Sequence, residues 1–400
     1  LVKECHKKKV ERITTSLPVL RGLSDTQVAR GFSEGILLTN YQFEKNKSDK
    51  DTCLIKGVYL LSASKAAQLT IRETIKISGG VNYTRDLVND NADVVTPQYL
   101  VKCARSLSRK YGKLSATIFD KKRLEKEKMG LILAVNRGSA GDPALIMMKY
   151  RGNPKSKDHT VIVGKGVTYD TGGLNLKPTG SMETMRCDMG GAGSVFGIME
   201  AVAALGMKVN ITGVVPTTEN GIDAHSYKPG DVYVGYSGKT VEIGNTDAEG
   251  RLILADALAY VSKKLKPSRI IDFATLTGAM VISLGRVCTG IMANDDRLAE
   301  ELARAGEETY ERVWRLPLFD EYRKQLKSDI ADIKNIGGRE GGSITAAFFL
   351  KEFVGDIPWA HLDIAGTAFV SKADEYRPKN ATGVGVRLIV EYLKNHSGNS

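Results

Sequence analysis

Apolar residues recur along this chain with two different periods, and the places where one gives way to the other mark its organisation. From 62 to 89 the string SASKAAQLTIRETIKISGGVNYTRDLVN carries them three and four apart, which predicts one long helix with a weak point at Gly79 and Gly80. Residues 1–61 hold no sustained period, and the polar run FEKNKSDKDTC at 43–53 predicts a loop. They read as a small, irregular N-terminal part. After Thr96 and Pro97, helix-like and strand-like segments take turns. QYLVKCARSLSRKYG, GSVFGIMEAVAALG and RLILADALAYVSKKL have helical spacing, while ALIMMKY, TVIVGKG, KVNITGVVPTT and RIIDFATLT are short apolar runs suited to strands. Such alternation implies an α/β domain over about 90–400, with a mixed, mainly parallel sheet flanked by helices. Near its end, an N-capped helix is expected to begin near Ser343, and IPWAHLDIAGT reads as a buried strand with His361 as a core residue.

Composition narrows the setting. The chain has 400 residues, 42% hydrophobic and 26% charged, enough for one large core or two domains. It has no 18-residue apolar run and no signal-peptide pattern, so the expectation is a soluble protein with no membrane partner. The five cysteines (Cys5, Cys53, Cys103, Cys187, Cys288) are scattered, odd in number and form no C-x-x-C, which argues against a disulfide framework and fits a reducing cytoplasm. The net charge of +11 invites a nucleic-acid reading, but only HKKK at 6–9 and DKKRLEKEK at 120–128 are dense, and the second is mixed in sign. Solvated basic faces account for both. The chain starts at Leu1 rather than Met, so a trimmed or partial form is expected.

Several familiar motifs fail. GYSGKT lacks the first glycine of a phosphate-binding loop, GKGVTY and GAGSVF miss the third glycine of a dinucleotide fingerprint, and neither G-x-S-x-G nor H-E-x-x-H occurs. The five histidines are too dispersed for a His-rich metal centre. What remains is a set of acids and amines where apolar runs end: Lys165, Asp170 and Lys177 in VGKGVTYDTGGLNLKP, Asp188 in METMRCDMGGAGS, and Asp247, Glu249 and Arg251 in NTDAEGRL. Each alone is most simply a solvated loop charge. Together they can meet at one edge of a parallel sheet, with Gly164, Gly166, Gly172 and Gly173 letting backbone approach a ligand. Converging carboxylates repel unless cations lie between them, which argues for two divalent metals, Mg, Mn or, with one nitrogen ligand, Zn. Such a pair activates water and stabilises an oxyanion.

NTDAEGRL, GKGVTYDTGGLNLKP, DMGGAG, ATLTGA and WAHLDIAGT together resemble the M17 leucyl aminopeptidase family, over about residues 85–390. The resemblance implies a cytoplasmic two-metal exopeptidase that removes apolar N-terminal residues, Leu preferred, from peptides and assembles as a homo-hexamer. It implies one metal (Zn or Mn, with Mg or Co as further options) on Lys165, Asp170, Asp188 and Glu249, and a second on Asp170, Asp247 and Glu249. Lys165 must then be a neutral ligand. Lys177 is implied as the charged group that polarises the scissile carbonyl, and Arg251 as the holder of a bicarbonate that relays a proton to the leaving amine. Met185, Asn245, Ala248, Thr275, Gly278 and Ala365 are implied to line the first side-chain pocket, with Ala368 facing it, and the backbone of Leu276 to orient the peptide. Family members carry a full N-terminal α/β domain, so 1–61 reads as its remnant, 62–89 as a connecting helix and 90–400 as the catalytic domain. Two other expectations stand beside this one: a dipeptidase for substrates such as Cys-Gly, and DNA binding in addition to catalysis.

Overall fold

The computed structural model describes residues 1–49 and 53–397, so positions 50–52 of the expected loop at 43–53 lie outside the described residues. Its centre is a nine-stranded mixed sheet. In spatial order the strands are Val313–Arg315, Thr289–Ala293, Trp359–Asp363, Arg269–Ala274, Thr160–Gly164, Asn210–Asn220, Ala144–Arg151 and Leu114–Phe119, with Gly166–Asp170 also pairing to Asn210–Asn220. The middle strands, from Trp359–Asp363 to Asn210–Asn220, run parallel, while Ala144–Arg151 pairs antiparallel with both neighbours. Successive side chains of a strand point to opposite faces, so Ile162 joins one core while Val161 and Val163 join the other. Helices cover both faces. Gly190–Leu205 and Val386–Ser397 pack on the first, Glu249–Tyr260 and Gly342–Lys351 on the second.

The long helix runs unbroken over Lys65–Asn89. Its glycine pair is a contact rather than a break: a Cβ on Gly80 would meet the Gly197 carbonyl oxygen at 2.4 Å, and the Thr84 hydroxyl donates to the Gly193 carbonyl at 2.8 Å. Two helices therefore touch backbone to backbone, and Ile77, Val81, Leu87 and Val88 enter the main core.

The N-terminal residues are more regular than their sequence suggests. Helices Val2–Lys7 and Asp25–Thr39 and a parallel pair of strands, Arg12–Thr15 with Gly57–Leu60, occupy the stretch expected to be irregular. Ser24 and Gln27 form a reciprocal capping box that starts the second helix, which buries Val28, Ala29, Ile36 and Leu38. Helix Gly342–Lys351 begins where expected, but no side chain caps it. Gly341 precedes it with φ +62°, and the Ser343 hydroxyl pairs instead with that of Thr277 at 2.7 Å.

Candidate active site

The parallel strands Thr160–Gly164, Arg269–Ala274 and Trp359–Asp363 end at one edge, and the chain that leaves them builds the site. Lys165 follows the first and is fixed through its backbone N–H to the Phe273 carbonyl at 3.0 Å. Asp170 closes strand Gly166–Asp170, and a turn at Gly172 (φ +87°) lets that residue's N–H donate back to Asp170 Oδ1 at 2.9 Å. The turn brings Lys177 alongside. Asp188 is not at a strand end: it sits in the 3-10 turn Met182–Met189 that leads into helix Gly190–Leu205. Asp247 lies in the loop after strand Thr240–Glu242, and Glu249 opens helix Glu249–Tyr260. Next to it, a Cβ on Gly250 would lie 2.4 Å from Lys165 Cε, so only glycine lets the lysine cross the helix start. Gly164 and Gly166 work differently from expectation. Their missing Cβ atoms make room for the Gly191 and Pro216 carbonyls, which is packing and not an opening toward a ligand.

The charges interlock. Lys165 Nζ lies 2.7 Å from Asp188 Oδ2, 2.8 Å from Glu249 Oε1 and 3.0 Å from the Thr275 carbonyl oxygen. Lys177 Nζ lies 2.8 Å from Asp170 Oδ2 and 2.5 Å from Asp247 Oδ1. One carboxylate oxygen each from Asp170, Asp247 and Glu249 falls within 4.8 Å of the others. Asp188 stands outside that trio, beyond Lys165, with the Thr275 hydroxyl donating to its Oδ1 at 2.8 Å. Burial pushes the Asp170, Asp188 and Asp247 carboxyls up, whereas for Glu249 the two lysines outweigh burial and hold it down. Burial also opposes the charge on both lysines, yet the surrounding carboxylates prevail and raise them.

Four acids thus share two ammonium groups, and the sharing is incomplete. Asp188 Oδ2, Asp247 Oδ1 and Glu249 Oε1 are buried and close to an ammonium, but accept no aligned hydrogen bond among the described residues. Buried oxygen donors left over in this way, with an amine beside them, fit hard divalent cations. Arg251 shows the converse. It is buried, its Nη1 donates to the Asn335 carbonyl at 2.9 Å, and its Nε has no partner among the described residues. Burial lowers its pKa to about 10 against the pull of Glu249, so it remains charged at neutral pH, and a free guanidinium N–H fits a small anion.

All of these groups line one cavity of about 890 Å³. Lys165, Asp170, Lys177, Asp188, Asp247, Glu249 and Arg251 line it, as do Met185, Asn245 and Ala248. Thr275, Leu276, Gly278 and Ala365 complete the set singled out in the sequence. Ala368 is the exception: it is buried against the Gly190 backbone, and its neighbour Phe369 lines the cavity. No histidine lines it, and His361 is a core residue whose Nδ1 lies 2.6 Å from Asp272 Oδ1.

The sequence model of the cytosol aminopeptidase family, catalytic domain, matches residues 82–390. The chain belongs to this family, M17. A probable cytosol aminopeptidase of Protochlamydia amoebophila is 57% identical over 99% of this chain and 81% of its own length, and one of Chlamydia caviae is 51% identical over 97% and 79%. Among solved structures, the bottromycin maturation enzyme BotP in complex with Mn superposes with a TM-score of 0.90 at 34% identity, over 97% of this chain and 84% of that one. The protein is a metal-dependent aminopeptidase, a hydrolase of peptide bonds.

The aminopeptidase also holds its site with residues that were not singled out in the sequence. Asn335, fully buried, accepts the Gly244 N–H at 2.8 Å and the Asn245 N–H at 3.2 Å, and donates to the Asn245 carbonyl at 2.7 Å. With its own carbonyl on Arg251, one side chain and one peptide unit set both the Asp247 loop and the guanidinium. Asn220 donates to Asp170 Oδ1 at 2.8 Å and to the Thr246 carbonyl at 3.1 Å. Asp363 accepts the Leu276 and Ala365 N–H groups, each at 3.1 Å, and so joins two cavity walls. For Asn220 and Asn335 the signal in the sequence is a polar residue just after an apolar run, as in VVPTTEN and DIKN, and Asp363 lies within WAHLDIAGT.

Proposed function

We propose that this aminopeptidase binds two divalent cations per subunit, Zn or Mn, with Mg or Co as substitutes, on Lys165, Asp170, Asp188, Asp247 and Glu249. The observation that carries this reading is the convergence of four carboxylates on only two ammonium groups, with one oxygen each of Asp170, Asp247 and Glu249 within 4.8 Å of the others. Bound there, such cations supply Lewis acidity that lowers the pKa of a water and polarises a carbonyl. Lys165 serves as a neutral ligand, since positive charges brought close to it reverse the preference its carboxylate neighbours now impose. Lys177 keeps its proton and meets the negative charge that develops on the scissile carbonyl oxygen. Arg251 holds bicarbonate, with its unpartnered Nε as the motive, in the cavity that Leu276 also lines, and the Leu276 backbone orients the peptide. Met185, Thr275, Gly278, Ala365, Asn245 and Ala248 accept the first side chain, an apolar one, Leu preferred.

The same reading gives a homo-hexamer in the cytoplasm acting on peptides. The hexamer rests on the family resemblance, and the names of the relatives support the compartment. No helix among the described residues is long and apolar enough to cross a membrane. The division into 1–61, 62–89 and 90–400 belongs to this reading.

The test is hydrolysis of an aminoacyl-amide panel by chelated protein reloaded with Zn, Mn, Co or Mg, together with two lysine variants. Lys177→Ala is expected to lower kcat by about 10²–10³ with metal content intact. Lys165→Ala is expected to lose metal and recover in part when metal is added. The reverse pattern overturns the two roles.

A further inference from the structure

Phe369 lines the cavity and has three cations around it. Arg286 Nη1 donates to the Phe369 carbonyl at 2.9 Å, and the Arg186 guanidinium lies 5.5 Å from the centre of its ring. Lys379 comes alongside because strand Phe369–Val370 pairs antiparallel with Asn380–Ala381. Arg286, Lys379 and Arg339 all line the cavity, and neither they nor Arg186 has an ion-pair partner among the described residues. The acids that line it are the four already engaged with Lys165 and Lys177. The cavity is therefore polar along its depth, with carboxylates at the floor and unpaired cations at the rim.

A free peptide has the same polarity. Its amino end belongs at the floor, where the bond is cut, and the rest of the chain must leave past the rim. We propose that Arg186, Arg286 and Lys379 form a subsite for a carboxylate of the peptide beyond the scissile bond, in the first instance the C-terminal carboxylate of a di- or tripeptide. An extended residue spans about 3.3–3.6 Å, so only short peptides keep that group near the mouth of a cavity this size. Arg286 is pre-set for the task by its bond to Phe369, whereas Lys379 is exposed and free to follow the ligand. The inference rests on the aminopeptidase reading and adds a preference to it.

The experiment compares kcat/KM within matched pairs: Leu-Gly-Gly against its C-terminal amide, and Leu-Gly-Asp-amide against Leu-Gly-Asn-amide. Each exposed cation contributes no more than about fivefold, so wild-type protein should favour the charged member of a pair by about tenfold. The ratio should fall with added NaCl and approach one in Arg186→Gln/Arg286→Gln/Lys379→Gln. Because each ratio is taken within one enzyme, any general loss of turnover cancels. A ratio confined to the first pair assigns the C-terminal carboxylate, and one confined to the second assigns an acidic side chain. Ratios near one in wild-type protein, or equal ratios in the triple variant, overturn the subsite. Wild-type hydrolysis of leucyl-p-nitroanilide, which has no carboxylate, reports separately on the aminopeptidase reading.

Discussion

Glu249 and Asp256 lie two turns apart on one helix, both acids and both almost without exposure, yet the protein treats them in opposite ways. Asp256 Oδ2 accepts the N–H groups of Leu131 and Ile132 at 2.9 and 3.0 Å, and Oδ1 accepts that of Tyr236 at 2.7 Å. Two of those donors open helix Gly130–Asn136, whose own cap residue, Met129, offers no side-chain bond. Asp256 thus caps that helix from a distance, with fixed backbone dipoles as partners. Glu249 has a lysine for a partner, a cavity in front of it and an oxygen that accepts no hydrogen bond. Burial of an acid therefore says little about its role. An acid with an exchangeable cation and an unspent lone pair is built to bind, and one with its acceptors filled by peptide N–H groups is built to hold.

The sharpest break of that contrast is by substitution. Glu249→Gln is expected to lower kcat by at least about 10²–10³ while the melting temperature changes little, since the amide keeps the shape and loses the charge. Asp256→Ala is expected to do the opposite. It leaves the buried N–H groups of Leu131 and Ile132 and the half-buried one of Tyr236 without their acceptor, at about 1–3 kcal/mol for a buried group, and activity per folded molecule should survive. Kinetics alongside thermal melts decide the matter, and a catalytic defect confined to Asp256→Ala would void the distinction.

Asn335 stands between the two cases, since it is saturated with partners like Asp256 but spends them on the site. Asn335→Ala is expected to cost about 10–100-fold in metal affinity or kcat, the usual scale for a residue that orients ligands from behind. Equilibrium dialysis with Mn and kcat at saturating metal separate the two effects. Asn335→Asp is expected to be no better, because it removes the donor to the Asn245 carbonyl and adds an acid beside it. Full activity in either variant would reduce Asn335 to ordinary packing.

How much of this was legible beforehand follows the same division. Glu249, Asp247 and Arg251 were readable because acids and glycine interrupt apolar runs within eight residues, a local pattern. The parallel core was readable from runs such as TVIVG, which are buried at every position. Asn335 was not, because it meets Arg251 across 84 positions of sequence and nothing in DIKNIGG marks it. The N-terminal helix Asp25–Thr39 was missed because its apolar positions are diluted by glycine and serine, and the capping box at Ser24 and Gln27 was the signal available. Gly80 reads as a weakness in the sequence because a sequence shows the missing side chain and not the helix that fills its place.

A further test reads Asp256 by pH. Burial pushes its carboxyl up to about 7 from an ordinary 3.8, although its three N–H donors pull the other way. An acid that holds its proton more tightly when folded adds stability at low pH, and that contribution is lost as pH rises from about 4 to about 7, then stays level. Asp256→Asn cannot titrate, so the difference in urea midpoint between wild type and variant isolates the effect. Glu249, seven residues away along the helix and so about 10 Å distant, titrates in both proteins and largely cancels. The difference is expected to shrink toward neutral pH and flatten above it. If it grows with pH instead, the peptide dipoles outweigh burial and Asp256 is ionised throughout, which leaves the two acids alike in charge and different only in what answers it.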